Sequence, residues 1–480
     1  MEETGGNRMV DSEEVKWTSV SLSEVIDRKK RIEASAFNIE RRNNLKILNN
    51  SEYEIVNLSS EIFGYKDCFY GSRAKRNYVE KNDKTYGFLG SAEMLDINPN
   101  PVKYVSCNNP IVQELSLKEN MILISRSGTV GNVTFVNKTL SNYIVSEHAI
   151  RLVVDKYQGY VYAYLKTDFC NSLMQAEKYG SVILEIEPSS IKKIPIPNAT
   201  NEMKERIHNK IIESYALRDE SNVLIEKATD MLVNELQMPE LSELDKYNYS
   251  YDNSVNCFSV KLSELDSRLE GSYHLPIIEK IEKYMSRNAE IFNLGDGNIS
   301  ERIVLPGRGK RFYVEKGHGS TFVGGKEIGE LDPSNKKYIA LSQYSKKTQE
   351  EFKIDENIIL VTRSGTVGKV SITPKHWKKW IVNDHIIRVF PKDKNIAGYI
   401  FAWLNTEYGK YLINRNIYGS VVLEITPEQL SNVKIPVLRN PNKVKEINDY
   451  ILQANETRYR AYKLEQEAIN LMNEEVLGLK

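Results

Sequence analysis

A chain of 480 residues is too long for one ordinary domain and points to two or three. Its hydrophobic content of 41% is ordinary for a globular chain, and no run approaches the ~18 apolar residues of a membrane helix. Formal net charge is zero, against the basic excess usual in nucleic-acid binders, so any such binding must rest on a local patch.

Met1 to Glu14 is polar and acidic and lacks the apolar core of a signal peptide; residues 1–16 are expected to form a disordered tail of a cytoplasmic protein. Residues 17–199 read as a first, strand-rich domain. Short strands are expected at Glu54 to Leu58, Tyr104 to Ser106, Asn120 to Ser125, Asn132 to Val136 and Ala149 to Val154, separated by Gly, Asn and Pro clusters. Tyr160 to Leu165 and Ser172 to Ala176 have helical spacing, so the domain is mixed α+β. Residues 200–238 form a long helix. Ile207, Ile211, Ser214, Arg218, Ser221, Ile225, Ala228 and Leu232 recur at alternating spacings of 4 and 3, the seam of a coiled coil. At ~1.5 Å per residue this helix reaches roughly 50 Å, and Met238-Pro239 is expected to end it. A polar, Tyr-rich linker over 239–257 leads to a second domain, 258–438. A second helix follows within 439–480, from Lys443 to about Leu477, with the seam Ile447, Ile451, Ala454, Arg458, Ala461, Glu465, Ala468 and Met472. Arg218 and Arg458 occupy equivalent seam positions.

The two domains are copies of one pattern. Ser125-Arg126-Ser127-Gly128-Thr129-Val130-Gly131 returns as Thr362-Arg363-Ser364-Gly365-Thr366-Val367-Gly368. Downstream, Glu147-His148 and Arg151 match Asp384-His385 and Arg388, and Gly159-Tyr160 matches Gly398-Tyr399. Tyr179-Gly180-Ser181-Val182 matches Tyr418-Gly419-Ser420-Val421, and Leu184-Glu185-Ile186 matches Leu423-Glu424-Ile425. Ile196-Pro197 matches Ile435-Pro436. Upstream, Arg31, Glu33 and Ser35 match Arg268, Glu270 and Ser272. Small shifts in the offset mark loop insertions in a common fold.

No catalytic motif declares itself. Gly317 to Lys326 fails as a phosphate loop, because Ser320 stands where its first glycine belongs and Glu327 where Ser or Thr must hold magnesium. Cys68, Cys107, Cys170 and Cys257 are scattered, which supports neither a zinc site nor a disulfide framework. His148 and His385 read as structural histidines at a strand start, since no nucleophile, metal cluster or paired carboxylate accompanies them. The Ser-Gly-Thr-Val-Gly loops read as tight strand connections whose glycines supply positive φ. The neighbouring Arg126 and Arg363 are candidates for DNA contact or for buried ion pairs. The strongest binding candidate is a segment with four cations in nine residues: Arg73, Lys75, Arg76 and Lys81 around Tyr78, repeated as Arg308, Lys310, Arg311 and Lys316 around Tyr313. Closely spaced Lys and Arg suit phosphates, and an Arg fork also reads guanine.

Two such domains, each followed by a long helix with a shared seam, resemble the specificity subunits of type I restriction–modification enzymes. The Arg-Ser-Gly-Thr-Val-Gly stretches, Ser146-Glu147-His148 and Asn383-Asp384-His385, the Tyr-Gly-Ser-Val turns and the Ile-Pro closures carry the resemblance. It implies two target recognition domains, each reading one half of a split double-stranded DNA site. It also implies two helices pairing as an antiparallel coiled-coil spacer, related by a pseudo-two-fold. It further implies two docked modification subunits, which bind S-adenosylmethionine and methylate adenine after flipping it, and a translocating restriction subunit. The chain itself would be non-catalytic, without a cofactor of its own. The two recognition domains share much, including the basic segment, where family members usually diverge, which points to recent duplication or to related half-sites; if the half-sites are unrelated, the stretches that differ, Asn82 to Asn100 and Gly317 to Asn335, would carry the base reading. The alternative from another class is a non-catalytic scaffold displaying two β-rich modules for protein contacts.

Overall fold

The structure is a computed structural model that describes residues 19–479 apart from 28–29, 31, 33, 74, 181–182, 246–256 and 335. The expected N-terminal tail, Arg31 and Glu33 of the upstream echo, Ser181 and Val182 of the turn motif and most of the linker lie outside the described residues.

Two lobes share one topology. In the first, Tyr65–Phe69, Ala149–Val154, Ile122–Ser125 and Val133–Phe135 lie side by side in that order, all antiparallel. A second sheet orders Tyr78–Val79, Lys103–Ser106, Thr85–Leu89 and Ile144–Val145, the last pair parallel. The second lobe repeats both. Ser300–Val304, Ile386–Pro391, Ile359–Thr362 and Val370–Ile372 form one sheet; Tyr313–Val314, Lys337–Ile339, Ser320–Val323 and Ile381–Val382 form the other. In each lobe a two-stranded ribbon closes the domain, Ile55–Asn57 with Pro195–Pro197 and Ala289–Asn293 with Lys434–Leu438.

The first long helix spans Asn201–Leu236, capped by the Thr200 hydroxyl and ended by Gln237 in the left-handed region, one residue before Met238-Pro239. The second spans Pro441–Leu471 and continues into a π-helical turn, Met472–Val476. It begins two residues before Lys443, because Pro441 at its first position needs no hydrogen-bond partner for its nitrogen. All sixteen seam residues are buried. The helices run antiparallel: Lys210 pairs with Glu467, Ser214 donates to the Ala461 carbonyl, Arg218 meets Glu465, Arg458 meets Ser221, and Lys443 pairs with Glu235.

Each lobe rests on one half of both helices. The first lobe's core includes Ile207, Ile211 and Tyr215 from one helix and Ala468, Met472 and Val476 from the other. The second lobe's core includes Ile225, Ala228, Leu232 and Leu236 with Ile447, Ile451 and Ala454. Two echoes make this packing possible. A Cβ on Gly159 would meet the His208 carbonyl oxygen at 2.6 Å, and one on Gly398 the Asn448 carbonyl oxygen at 2.5 Å. The adjacent Tyr160 and Tyr399 hydroxyls donate to the carbonyls of Pro197 and Pro436 at 2.6 and 2.7 Å, tying the lobe helix to its closing strand.

The seam centre is polar. The Glu465 carboxylate accepts from Arg218 at 2.6 Å and from the Tyr162 hydroxyl at 2.5 Å. Burial works against its charge, but Arg218, Lys166 and Tyr162 outweigh it and hold the carboxyl below its usual range. Among the described residues the pseudo-equivalent Arg458 meets neutral partners, Ser221 and Asn222, and burial pushes it down to about 10. His376 stacks on Tyr462 with centroids 3.7 Å apart, and burial pushes it down to about 4.

Glu465→Ala strands the buried Arg218 guanidinium and should lower the unfolding free energy by about 3–5 kcal/mol, whereas Arg458→Met, which breaks no ion pair, should cost clearly less; chemical denaturation of both variants checks this. An unfolded His376 takes up a proton near pH 6.5 that the folded one refuses down to about 4. Its stabilisation is therefore complete above pH 6.5 and is lost as pH falls through that window. His376→Gln should flatten the melting temperature between those pH values.

Candidate nucleic-acid interface

In each lobe three distant segments meet at one edge. The loop of the repeated motif joins two antiparallel strands, Ile122–Ser125 to Val133–Phe135 and Ile359–Thr362 to Val370–Ile372. Its turn is set by glycines in the left-handed region, Gly128, Gly131, Gly365 and Gly368. Main-chain bonds sew the loop to its neighbours. Arg126 N–H donates to the His148 carbonyl at 2.7 Å, and Ile186 N–H donates to the Arg126 carbonyl at 3.0 Å. The second lobe repeats both, Arg363 to His385 at 2.8 Å and Ile425 to Arg363 at 3.1 Å. The acidic residues of the echo thereby arrive beside the basic segment.

The result is an arginine–carboxylate cluster, built twice. Arg76 pairs with Glu147 and lies over the Phe88 ring at 4.7 Å. Arg73 reaches Glu147 and Glu185, each at 3.8 Å, yet its side chain stays 69% exposed. In the second lobe Arg311 pairs with Asp384 at 2.6 Å, and Arg308 reaches Asp384 at 3.2 Å and Glu424 at 3.8 Å while 67% exposed. Arg308 and Arg73 are thus oriented by carboxylates without being withdrawn from solvent. Lys75, Lys310, Tyr78 and Tyr313 are beside them, the tyrosines and Lys310 exposed and Lys75 likewise open to water. Lys103 lies over the Tyr78 ring and Lys337 over that of Tyr313, adding a cation to each patch.

Four of the cations singled out in the sequence have other partners. Arg126 is buried against Tyr70 at 4.0 Å and pairs with Glu185 at 2.8 Å and Glu187 at 3.0 Å. Arg363 is half-buried and pairs with Glu424 at 2.5 Å. In place of a free DNA-contacting head, each is the post that fixes the cluster. Lys81 and Lys316 cross to the opposite lobe, in reciprocal pairs with Glu407 at 3.0 Å and Asp168 at 3.3 Å. Both acids open helices capped by Thr406 and Thr167, where the helix dipole favours negative charge. Further ties join the lobes: Lys369 with Asp96 at 2.8 Å, Lys166 with Ser334 at 2.7 Å, and Ile97 N–H with the Gly329 carbonyl at 2.9 Å. Glu330 beside them is pushed up to about 8 by burial.

The histidines have a partner that the sequence did not disclose. Ser127 Oγ lies 2.6 Å from His148 Nδ1, and Ser364 Oγ lies 2.6 Å from His385 Nδ1. The carboxylates stand 3.6 and 4.0 Å from the Nε2 atoms and are already held by arginines, so the pairs orient the rings rather than form a relay. Arg151 and Arg388, fully buried, bond carbonyls of their own lobes and are structural. Among the described residues no cluster could hold a metal ion, and no helix is long and apolar enough to cross a membrane.

A family model described as type I restriction modification DNA specificity domain matches residues 72–216 and 314–454, each stretch running from one lobe into the long helix that follows it. Among solved structures, the chain is similar to a type I restriction-modification S subunit from M. genitalium, at 14% identity over 89% of this chain and 96% of that one, with a TM-score of 0.31. It is also similar to an HsdS subunit from Thermoanaerobacter tengcongensis, at 14% identity over 89% and 97%, with a TM-score of 0.27. No curated protein matches.

Arg126→Ala should unfold its lobe more readily, by about 3 kcal/mol, because it strips Glu185 and Glu187 of their nearest cation in a largely buried cluster. Arg73→Ala, at an exposed pair, should cost less than about 1 kcal/mol. Urea denaturation of the two variants separates the post from the free head.

Proposed function

The chain belongs to the family of type I restriction modification DNA specificity domains, and we propose on that premise that Arg73, Lys75, Arg308 and Lys310 are its principal phosphate or base contacts. The chain is a DNA-recognition subunit with two domains for a two-part site. The observation that carries our assignment of contacts is the repetition of one arrangement: an exposed arginine, aimed by two carboxylates, at equivalent places in both lobes. An arginine fork held this way loses little freedom on meeting a phosphate or a guanine edge.

The finer reading follows from the same premise. The chain performs no reaction. The exposed flanks of the helix pair dock two methyltransferase subunits, which bring S-adenosylmethionine and methylate adenine in the two half-sites. A translocating restriction subunit joins that assembly. The setting is the cytoplasm. The near-identical clusters form the scaffold and phosphate contacts common to both half-sites, and the differing stretches after Lys81 and Lys316 read the bases. The interaction-scaffold alternative gains no support, since a pure scaffold has no use for solvent-facing arginines oriented in duplicate.

Two measurements test this. Methylated adenines mapped after co-expression with the neighbouring methyltransferase should fall in a bipartite site with one fixed gap; a continuous motif would count against two reading lobes. In the assembled complex, Arg73→Glu with Lys75→Glu should weaken duplex binding while assembly with the partner is retained. Alanine at these positions should lower the slope of log affinity against log salt by about 0.9 for each phosphate that is no longer neutralised. Unchanged affinity would remove the basic segment from the interface.

A further inference from the structure

Each lobe presents an apolar feature that its own fold leaves uncovered. In the second lobe, Tyr418 and Glu424 exchange both main-chain hydrogen bonds, at 3.0 and 2.9 Å, and close a narrow hairpin. At its tip Val421 is 94% exposed, and Val422 and Leu423 are exposed beside it. In the first lobe Tyr179 and Glu185 make the same exchange, at 2.9 Å each, and Ile183 and Leu184 stand exposed. Gly180 and Gly419 take φ of 108° and 106°, and a Cβ on either would lie 2.3 Å from the carbonyl oxygen of Ile183 or Val422. The residue that closes each hairpin, Glu185 or Glu424, is also the carboxylate that anchors Arg126 or Arg363 and reaches Arg73 or Arg308. The apolar tip and the exposed arginine therefore share one edge, once per lobe.

We propose that the two hairpin tips are wedges that enter the duplex, one in each half-site, at a base step beside the phosphates met by Arg73 and Arg308. The proposal rests on the DNA-reading function above and adds a second contact to it. A tip of a few residues is far smaller than the roughly 800 Å² that each partner buries in a stable protein interface. It matches the few apolar side chains that proteins insert between base steps. In the second lobe the glycine turn and the doubly bonded closure shape the tip beforehand, so little ordering is required on entry. A base extruded for modification leaves a gap in its stack. An apolar side chain supplied by the reading subunit fills that gap without competing for hydrogen bonds.

The test uses the full chain assembled with its methyltransferase subunits, on duplexes carrying 2-aminopurine at the mapped target adenine of either half-site. The wild-type complex should brighten the probe in both half-sites. Val421→Ser with Val422→Ser and Leu423→Ser should reduce the extruded fraction about tenfold or more in one half-site only, as the loss of that apolar surface would dictate. Ile183→Ser with Leu184→Ser should do the same in the other. These positions lie outside the core, so the unfolding midpoint should not move. Unchanged probe signal in both variants overturns the wedge. Loss of assembly with the methyltransferase also overturns it, and assigns the tips to protein docking. Failure of the wild-type complex to bind duplex at all refutes the DNA-reading function, and the wedge with it.

Discussion

The antiparallel seam governs everything else in this chain. Sixteen buried positions alternate between the helices, but only a few of them fix the register. Ile, Ala and Leu at most of them would tolerate a slide of one heptad. Arg218, Glu465, Ser221 and Arg458 would not, because a slide strands a buried charge. The polar centre thus reads as a register pin. The lobes inherit their separation from it, since each is built onto residues of both helices.

Much of this was legible in the residues alone. The internal echo revealed the duplication, and the alternating spacing of Ile207 through Leu232 and Ile447 through Met472 marked a seam that is buried throughout. Glycines in the repeated loop implied a tight turn and supply one. What remained hidden depended on distance in sequence. Arg126 and Glu185 lie far apart along the chain, as do Ser127 and His148, so no local pattern could show that they bond. Lys81 and Lys316 were still harder to place, because their partners sit in the opposite lobe. A run of cations does not say which of them are already neutralised.

That sorting changes the meaning of the basic segment. Of its four cations in each lobe, one is held against a carboxylate, one is drawn across the molecule, one is exposed, and one is aimed by two acids yet open to water. A neutral chain can therefore carry two positive faces. The acids are committed to fixing where the positive heads point, and the remainder faces outward.

Because each lobe draws its core from the two rods at once, this molecule has no clean boundary between its halves for genetic exchange. A graft that swaps residues 17–238, the first lobe together with its rod, would set a foreign lobe and a foreign rod on Ala468, Met472 and Val476 of the resident chain. Only exchanges whose breakpoints preserve those rod surfaces would yield a working hybrid. Divergence in what the lobes read is thereby free, while divergence in what they stand on is coupled across the whole length of the polypeptide.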